Sequence, residues 1–94
     1  MKISPTAGSE IREAYAYIKA DSPEAAKRWF RGVMAAIKSL DQLALRCPVA
    51  PDSKYVGKPL RVRLYESHRI LYQVRDVQVE VVAVRHAAQR FLGE

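Results

Sequence analysis

The chain has one cysteine, Cys47, two histidines, four glycines and a single tryptophan among its 94 residues. One cysteine rules out an intrachain disulfide and a metal site built from clustered thiolates. The glycines are scattered, so no phosphate-cradling loop is present, and no paired-carboxylate site or metal-ligand cluster can be assembled from local spacing. The sequence therefore predicts no cofactor and no metal. No apolar stretch approaches the roughly 20 residues a membrane helix needs, and the N-terminus lacks the basic start and apolar run of a secretory signal. With its thiol content, this predicts a soluble, cytoplasmic protein with no membrane partner.

What is plentiful is positive charge. Sixteen Lys and Arg face ten Asp and Glu, a net charge of +6, which favours acidic partners through long-range attraction. The excess is concentrated between Lys54 and Arg75, where Lys54, Lys58, Arg61, Arg63, Arg69 and Arg75 stand against Glu66 alone. At this length and 49% hydrophobic composition the chain predicts a single domain over residues 1–94, with one modest core.

Hydrophobic periodicity orders the elements. Lys2-Ile3 reads as a short edge strand leading into Ser4-Pro5, where Ser caps a helix and Pro fits its first turn. Ile11, Ala14, Tyr15 and Ile18 then recur at helical spacing up to Asp21. Ser22-Pro23 repeats the start signal, and Ala26, Phe30, Val33, Ile37, Leu40 and Ala44 predict one long second helix as far as Cys47-Pro48. The short connection predicts an antiparallel helical hairpin. Trp29 and Phe30 are its largest apolar side chains, and one of the two falls on the helix flank. The segment from Arg46 to Pro59, with Pro48, Pro51, Gly57 and Pro59, predicts a loop.

After it, Arg61 to Val74 reads as a basic β-hairpin, and Val77 to Arg85 as a third alternating strand. Arg61, Arg63 and Tyr65 share one face of the first strand, and Arg69, Leu71 and Gln73 one face of the second. In the third, Val77, Val79, Val81 and Ala83 alternate with Gln78, Glu80, Val82 and Val84. Ile70, Tyr72 and Val74 supply an apolar face for the helices, leaving an arginine-bearing face open to a partner. The fold class expected is α+β: a short N-terminal strand, then a two-helix antiparallel hairpin packed on a three- to four-stranded antiparallel sheet.

The order of these elements, with Ser4-Pro5, Tyr17-Ile18 and Ser22-Pro23-Glu24-Ala25-Ala26 marking the helices, resembles the RelE/ParE toxins of bacterial type II toxin–antitoxin pairs, the plasmid-stabilisation toxins. His68-Arg69-Ile70-Leu71-Tyr72-Gln73-Val74 resembles that superfamily's aromatic-Arg strand, and Val82-Ala83-Val84-Arg85-His86 its final strand ending in His. The resemblance implies a growth-inhibiting toxin held by a cognate antitoxin in a hetero-oligomer, the antitoxin's acidic or amphipathic segment wrapping the basic surface. It implies one of two targets: DNA gyrase for ParE-like members, or the ribosome with mRNA for RelE-like endoribonucleases. Arg69 matches the nuclease-branch strand arginine, and Arg61 and Arg63 its basic pair on the preceding strand. Ala87 stands near where a second catalytic arginine would be, and no tyrosine follows His86, so gyrase inhibition is the preferred reading. An inactive antitoxin-binding module is a further alternative.

Cleavage by a 2′-hydroxyl needs a proton acceptor, a proton donor and cations around the phosphate. Arg69 and His86 are the candidate catalytic residues, His86 because an imidazole exchanges protons near neutrality. Lys58, Arg61, Arg63, Arg85 and Arg90 are the candidate target- or nucleic-acid-binding cations. Trp29, Arg61, Arg63 and Tyr65 are candidates for the antitoxin interface. Each has a plainer reading beside it: Arg69 as a buried tie to a carboxylate, Arg61 and Arg63 as a solvated strand face, and His86 as a hydrogen-bonded strand end. Trp29 and Tyr65 read equally as packing residues, and His68, on the face opposite Arg69, as a turn or packing residue.

Overall fold

A computed structural model describes residues 1–94. The chain runs β1 (Lys2–Ile3), α1 (Pro5–Asp21), α2 (Pro23–Lys38), α3 (Leu40–Leu43), α4 (Ser53–Val56), β2 (Arg61–Tyr65), β3 (His68–Arg75) and β4 (Gln78–His86). Both helix starts are built as the sequence predicts. Ser4 Oγ accepts from the Ala7 amide at 3.1 Å and Ser22 Oγ from the Ala25 amide at 3.2 Å, with Pro5 and Pro23 in the first turns. No helix is long and apolar enough to cross a membrane.

The second helix departs from its expected length. Instead of running to Cys47 it breaks at Ser39, whose hydroxyl donates to the Ala36 carbonyl at 2.6 Å. That bond competes with the backbone ladder, and the short α3 follows it. The Arg46–Pro59 loop is also more structured than expected. It holds the single turn α4, closed by Gly57 in the left-handed conformation at φ 81°.

The sheet order is β1-β4-β3-β2. The three consecutive strands form the expected antiparallel meander, and β1 joins β4 in parallel, making the sheet mixed. Ile70, Tyr72, Val79, Val81 and Val84 pack under Ala7, Ile11, Trp29, Val33 and Ile37 of the helices to form the main core. Trp29 is 5% exposed while Phe30 is 42% exposed and sits edge-on to Tyr15, so the flank position between these neighbours belongs to Phe30.

Two features of register overturn the expectation of an open arginine face. Glu66-Ser67 places Tyr65 opposite His68, so Arg63 pairs with Ile70 and Arg61 with Tyr72. Directly paired residues share a face, which puts Arg61 and Arg63 at the margin of the helix-covered side and Arg69 on the other. That other side is not bare. Ala50 and Leu60 from the loop pack on Val62, Leu71 and Ala83, with Val56 and Leu92 alongside, giving a second small core.

The second feature is a β-bulge. Leu71 pairs with Ala83 but Tyr72 with Val81, leaving Val82 as an extra residue. The simple alternation read from the sequence holds up to Val81 and inverts after it: Val84 faces the helices and Ala83 faces away. The backbone groups freed at the bulge are taken up by α1 and its cap. Ser4 Oγ donates to the Val82 carbonyl at 3.0 Å, and the Val84 amide donates to Glu10 Oε1 at 2.9 Å.

Candidate functional site

The sequence-singled residues fall into three places. On the side of the second core, Arg69 is buried and its guanidinium forms a bidentate pair with Asp52, one bond at 3.3 Å. Asp52 is fully buried, and its Oδ2 also accepts from the Leu92 amide at 2.6 Å. Burial pushes the Asp52 carboxyl up, but the hydrogen bonds from Arg69, Leu92 and its own backbone amide overcome this and hold it below the usual carboxylate range. Phe91 lies over the Arg69 guanidinium at 5.1 Å and stacks on Tyr55. The C-terminal tail therefore closes over the ion pair.

Directly across from Arg69 is Arg85, whose Nε donates to the Arg90 carbonyl at 3.2 Å and whose Nη1 stands 3.7 Å from Glu10. Arg90 and Lys58 are exposed. Their charges reach solvent with no ion pair of their own, unlike Arg69 and Arg85.

The second place is the β2 edge. Arg61 Nη1 donates to the Cys47 carbonyl at 2.6 Å, fastening the loop to the sheet. Arg63 is half-buried, with its Nε lacking a partner. Tyr65 lies against α2 at Gly32, where a Cβ would stand 1.7 Å from the Tyr65 hydroxyl. That close approach is what the missing side chain permits. Burial, first, raises the Tyr65 phenol above its ordinary value.

The third is a cleft of about 540 Å³ between α1, Trp29, the Glu66-Ser67 turn and the end of β4. His68 and His86 pair directly across the strands, rings 5.3 Å apart, with Trp29 edge-on to His68 at 5.1 Å. Burial, then the neighbouring His86, pushes the His68 imidazole down, opposed by Glu66. His68 is thus a packing residue on the face opposite Arg69.

His86 Nδ1 accepts from the Ala88 amide at 3.0 Å and its own amide donates to Gln89 at 2.8 Å. An imidazole that accepts at Nδ1 carries its proton on Nε2 when neutral, so the exposed nitrogen is a donor and not a base. Arg69 and His86 also lie on opposite faces of the sheet, because they belong to the adjacent pairs Arg69–Arg85 and His68–His86. The fold does not bring the candidate acid–base group and the candidate phosphate-holding cation together.

Three residues on which the geometry turns were not legible as site residues. Asp52 is the partner of Arg69; its one sequence signal is a lone carboxylate in a basic, proline-rich loop. Glu10 looks like an ordinary helix-surface glutamate, yet it serves the bulge and Arg85, and burial raises its carboxyl despite the Val84 amide and Arg85. Phe91 gives no signal beyond being an aromatic near the end of the sequence.

Comparison with known proteins agrees with this architecture. No curated protein matches the chain significantly. A solved structure from the chromosomal ParDE toxin–antitoxin system of P. aeruginosa superposes with a TM-score of 0.70 at 16% identity, over 90% of this chain and 91% of that one. That likeness is one of fold. The family model for the ParE toxin of the type II toxin–antitoxin system parDE matches residues 1–91, and the chain accordingly belongs to the ParE toxin family.

Proposed function

We propose that this chain arrests growth by binding DNA gyrase, without cutting RNA, and that a cognate antitoxin neutralises it in a hetero-oligomer. The observation that carries the reading is the separation of Arg69 from His86. Ribonucleolytic transfer needs a base, an acid and cations converging on one phosphate. Here the arginine is committed to Asp52 under Phe91, and the histidine presents a donor on the far face.

Binding to the target falls to the cations that reach solvent, Lys58 and Arg90, with Arg85 positioned beside Arg90. In this reading the antitoxin's acidic segment lies along β2, which is an edge strand carrying Arg61 and Arg63 with Tyr65 packed behind them. Trp29 supports that surface from the core, and the exposed aromatic beside it is Phe30. Net charge of +6 steers both encounters and makes them salt-sensitive.

The test is the purified chain added to gyrase with supercoiled plasmid, and separately to ribosomes translating a defined mRNA. Gyrase-dependent DNA breaks with intact transcripts are expected, weakening as salt rises. Truncated transcripts with intact DNA would overturn the reading in favour of ribosome-dependent cleavage. Neither product, from folded protein that still binds its antitoxin, would leave an inactive binding module.

A further inference from the structure

The cleft around His68 runs against the charge of the rest of the molecule. In a chain with sixteen Lys and Arg, its walls carry Glu10, Glu13 and Glu66 and no Lys or Arg. Three carboxylates facing one cavity repel one another unless a cation joins them. Glu10 has Arg85, while Glu13 and Glu66 form no ion pair.

A second observation is independent of the charge. Trp29 forms part of the same wall, is 5% exposed, and its Nε1 hydrogen has no acceptor; His68 Nδ1, beside it, is also buried without a partner. A buried indole N–H left unpaired is destabilising, and such groups are ordinarily satisfied by a partner. The cleft thus asks for two things at once: a cation for Glu13 and Glu66, and a hydrogen-bond acceptor for Trp29. Tyr17, 84% exposed at the rim, offers a ring face to a planar cation.

We propose that this cleft is a docking site for an arginine-bearing extended segment of a partner protein, the guanidinium taken between Glu13 and Glu66 and a neighbouring backbone carbonyl accepting from Trp29 Nε1. A guanidinium matches carboxylates with its planar donor fork. A simple polyamine supplies the charge but no acceptor, and an acidic segment supplies the acceptor with the wrong charge. The volume, about 540 Å³, suits a ligand of this size. The cleft is lined by none of the cations assigned to gyrase and by none of Arg61, Arg63 and Tyr65, sharing only Trp29 with the antitoxin surface, so either proposal can fail without the other.

Trp29 is the only tryptophan, so one indole N–H resonance reports the site in the folded full chain. Titration with acetyl-Gly-Arg-Gly-amide is expected to shift that resonance downfield and saturably. Glu13→Gln and Glu66→Gln, both at exposed positions, are each expected to weaken the effect about tenfold, the loss of one charge-assisted contact. Circular dichroism melts of the two variants confirm that they fold. An unmoved indole resonance would overturn the proposal, as would binding by the two variants as tight as that of the parent chain. An equal shift with spermidine would replace the peptide by a free polyamine, and an equal shift with acetyl-Gly-Glu-Gly-amide would remove the role of charge.

Discussion

Replacing Asp52 by Ala should be among the most damaging single changes this chain can suffer. Asp52 is fully buried and accepts from Arg69 and from the Leu92 amide. Truncation leaves a buried guanidinium without a counter-charge, for which about 3–5 kcal/mol is usual when one partner of a buried pair is removed. It also orphans the Leu92 amide and loosens the tail that seats Phe91 over Arg69. About 4 kcal/mol is therefore expected, which at this chain length lowers the melting temperature by roughly 15 to 30 °C. Arg69→Met should cost a similar amount, because it strands the carboxylate. The double variant Asp52→Leu/Arg69→Met removes both charges and should recover about 2 kcal/mol or more of the summed single losses, since an apolar pair of similar volume replaces a desolvated one. Urea unfolding of the parent, Asp52→Leu, Arg69→Met and the double variant provides the cycle. Additive losses, or an Asp52→Ala loss below about 1 kcal/mol, would refute the buried-pair account. The consequence for toxicity assays is direct. A growth defect abolished by Arg69→Ala reports a damaged fold as readily as a lost function, so Lys58→Ala and Arg90→Ala, at exposed positions, are the cleaner tests of target contact.

Three other outcomes follow from the packing. Gly32→Ala should destabilise the chain, because the new Cβ collides with the Tyr65 ring, but in a Tyr65→Val background the same change should stabilise it by about 1 kcal/mol through helix propensity; thermal melts of the pair test this. Tyr72 is buried with its hydroxyl donating to the Ala44 carbonyl, and burial raises its phenol, so Tyr72→Phe should cost about 1–2 kcal/mol in urea unfolding by leaving that carbonyl unpaired. Stability should fall in two stages on acidification. His68 binds its proton less readily when folded, so the unfolded chain is protonated first and stability drops as pH falls below 6.5; Asp52, depressed in the fold, contributes fully above 3.8 and is lost as pH falls from there through its folded value. Chemical denaturation across pH should show the first stage vanish in His68→Gln.

The helical hairpin was legible because its signals are local. Ser-Pro pairs cap within a few residues, and apolar side chains at three- and four-residue spacing define a face whatever they later pack against. The meander was legible for the same reason, through alternation and tight turns. The break at Ser39 was hidden, since a serine reads alike whether its hydroxyl faces water or the Ala36 carbonyl.

The α+β element order, the two capped helices, the excess of positive charge and the resemblance that the ParE family match bears out all follow from the order of residues along the chain. Which arginines share a face depends instead on how the strands come together in three dimensions. Alternation fixes sides within one strand, but the relation between strands depends on register, and the pairing of Tyr65 with His68 sends Arg61 and Arg63 one way and Arg69 the other. The bulge at Val82 then inverts the end of β4, because one extra residue reverses a period of two and its unpaired groups find Ser4 and Glu10 nearly the whole chain away. The tie between Arg69 and Asp52 is likewise non-local, made when the loop and the tail fold over the sheet and exclude water from both charges.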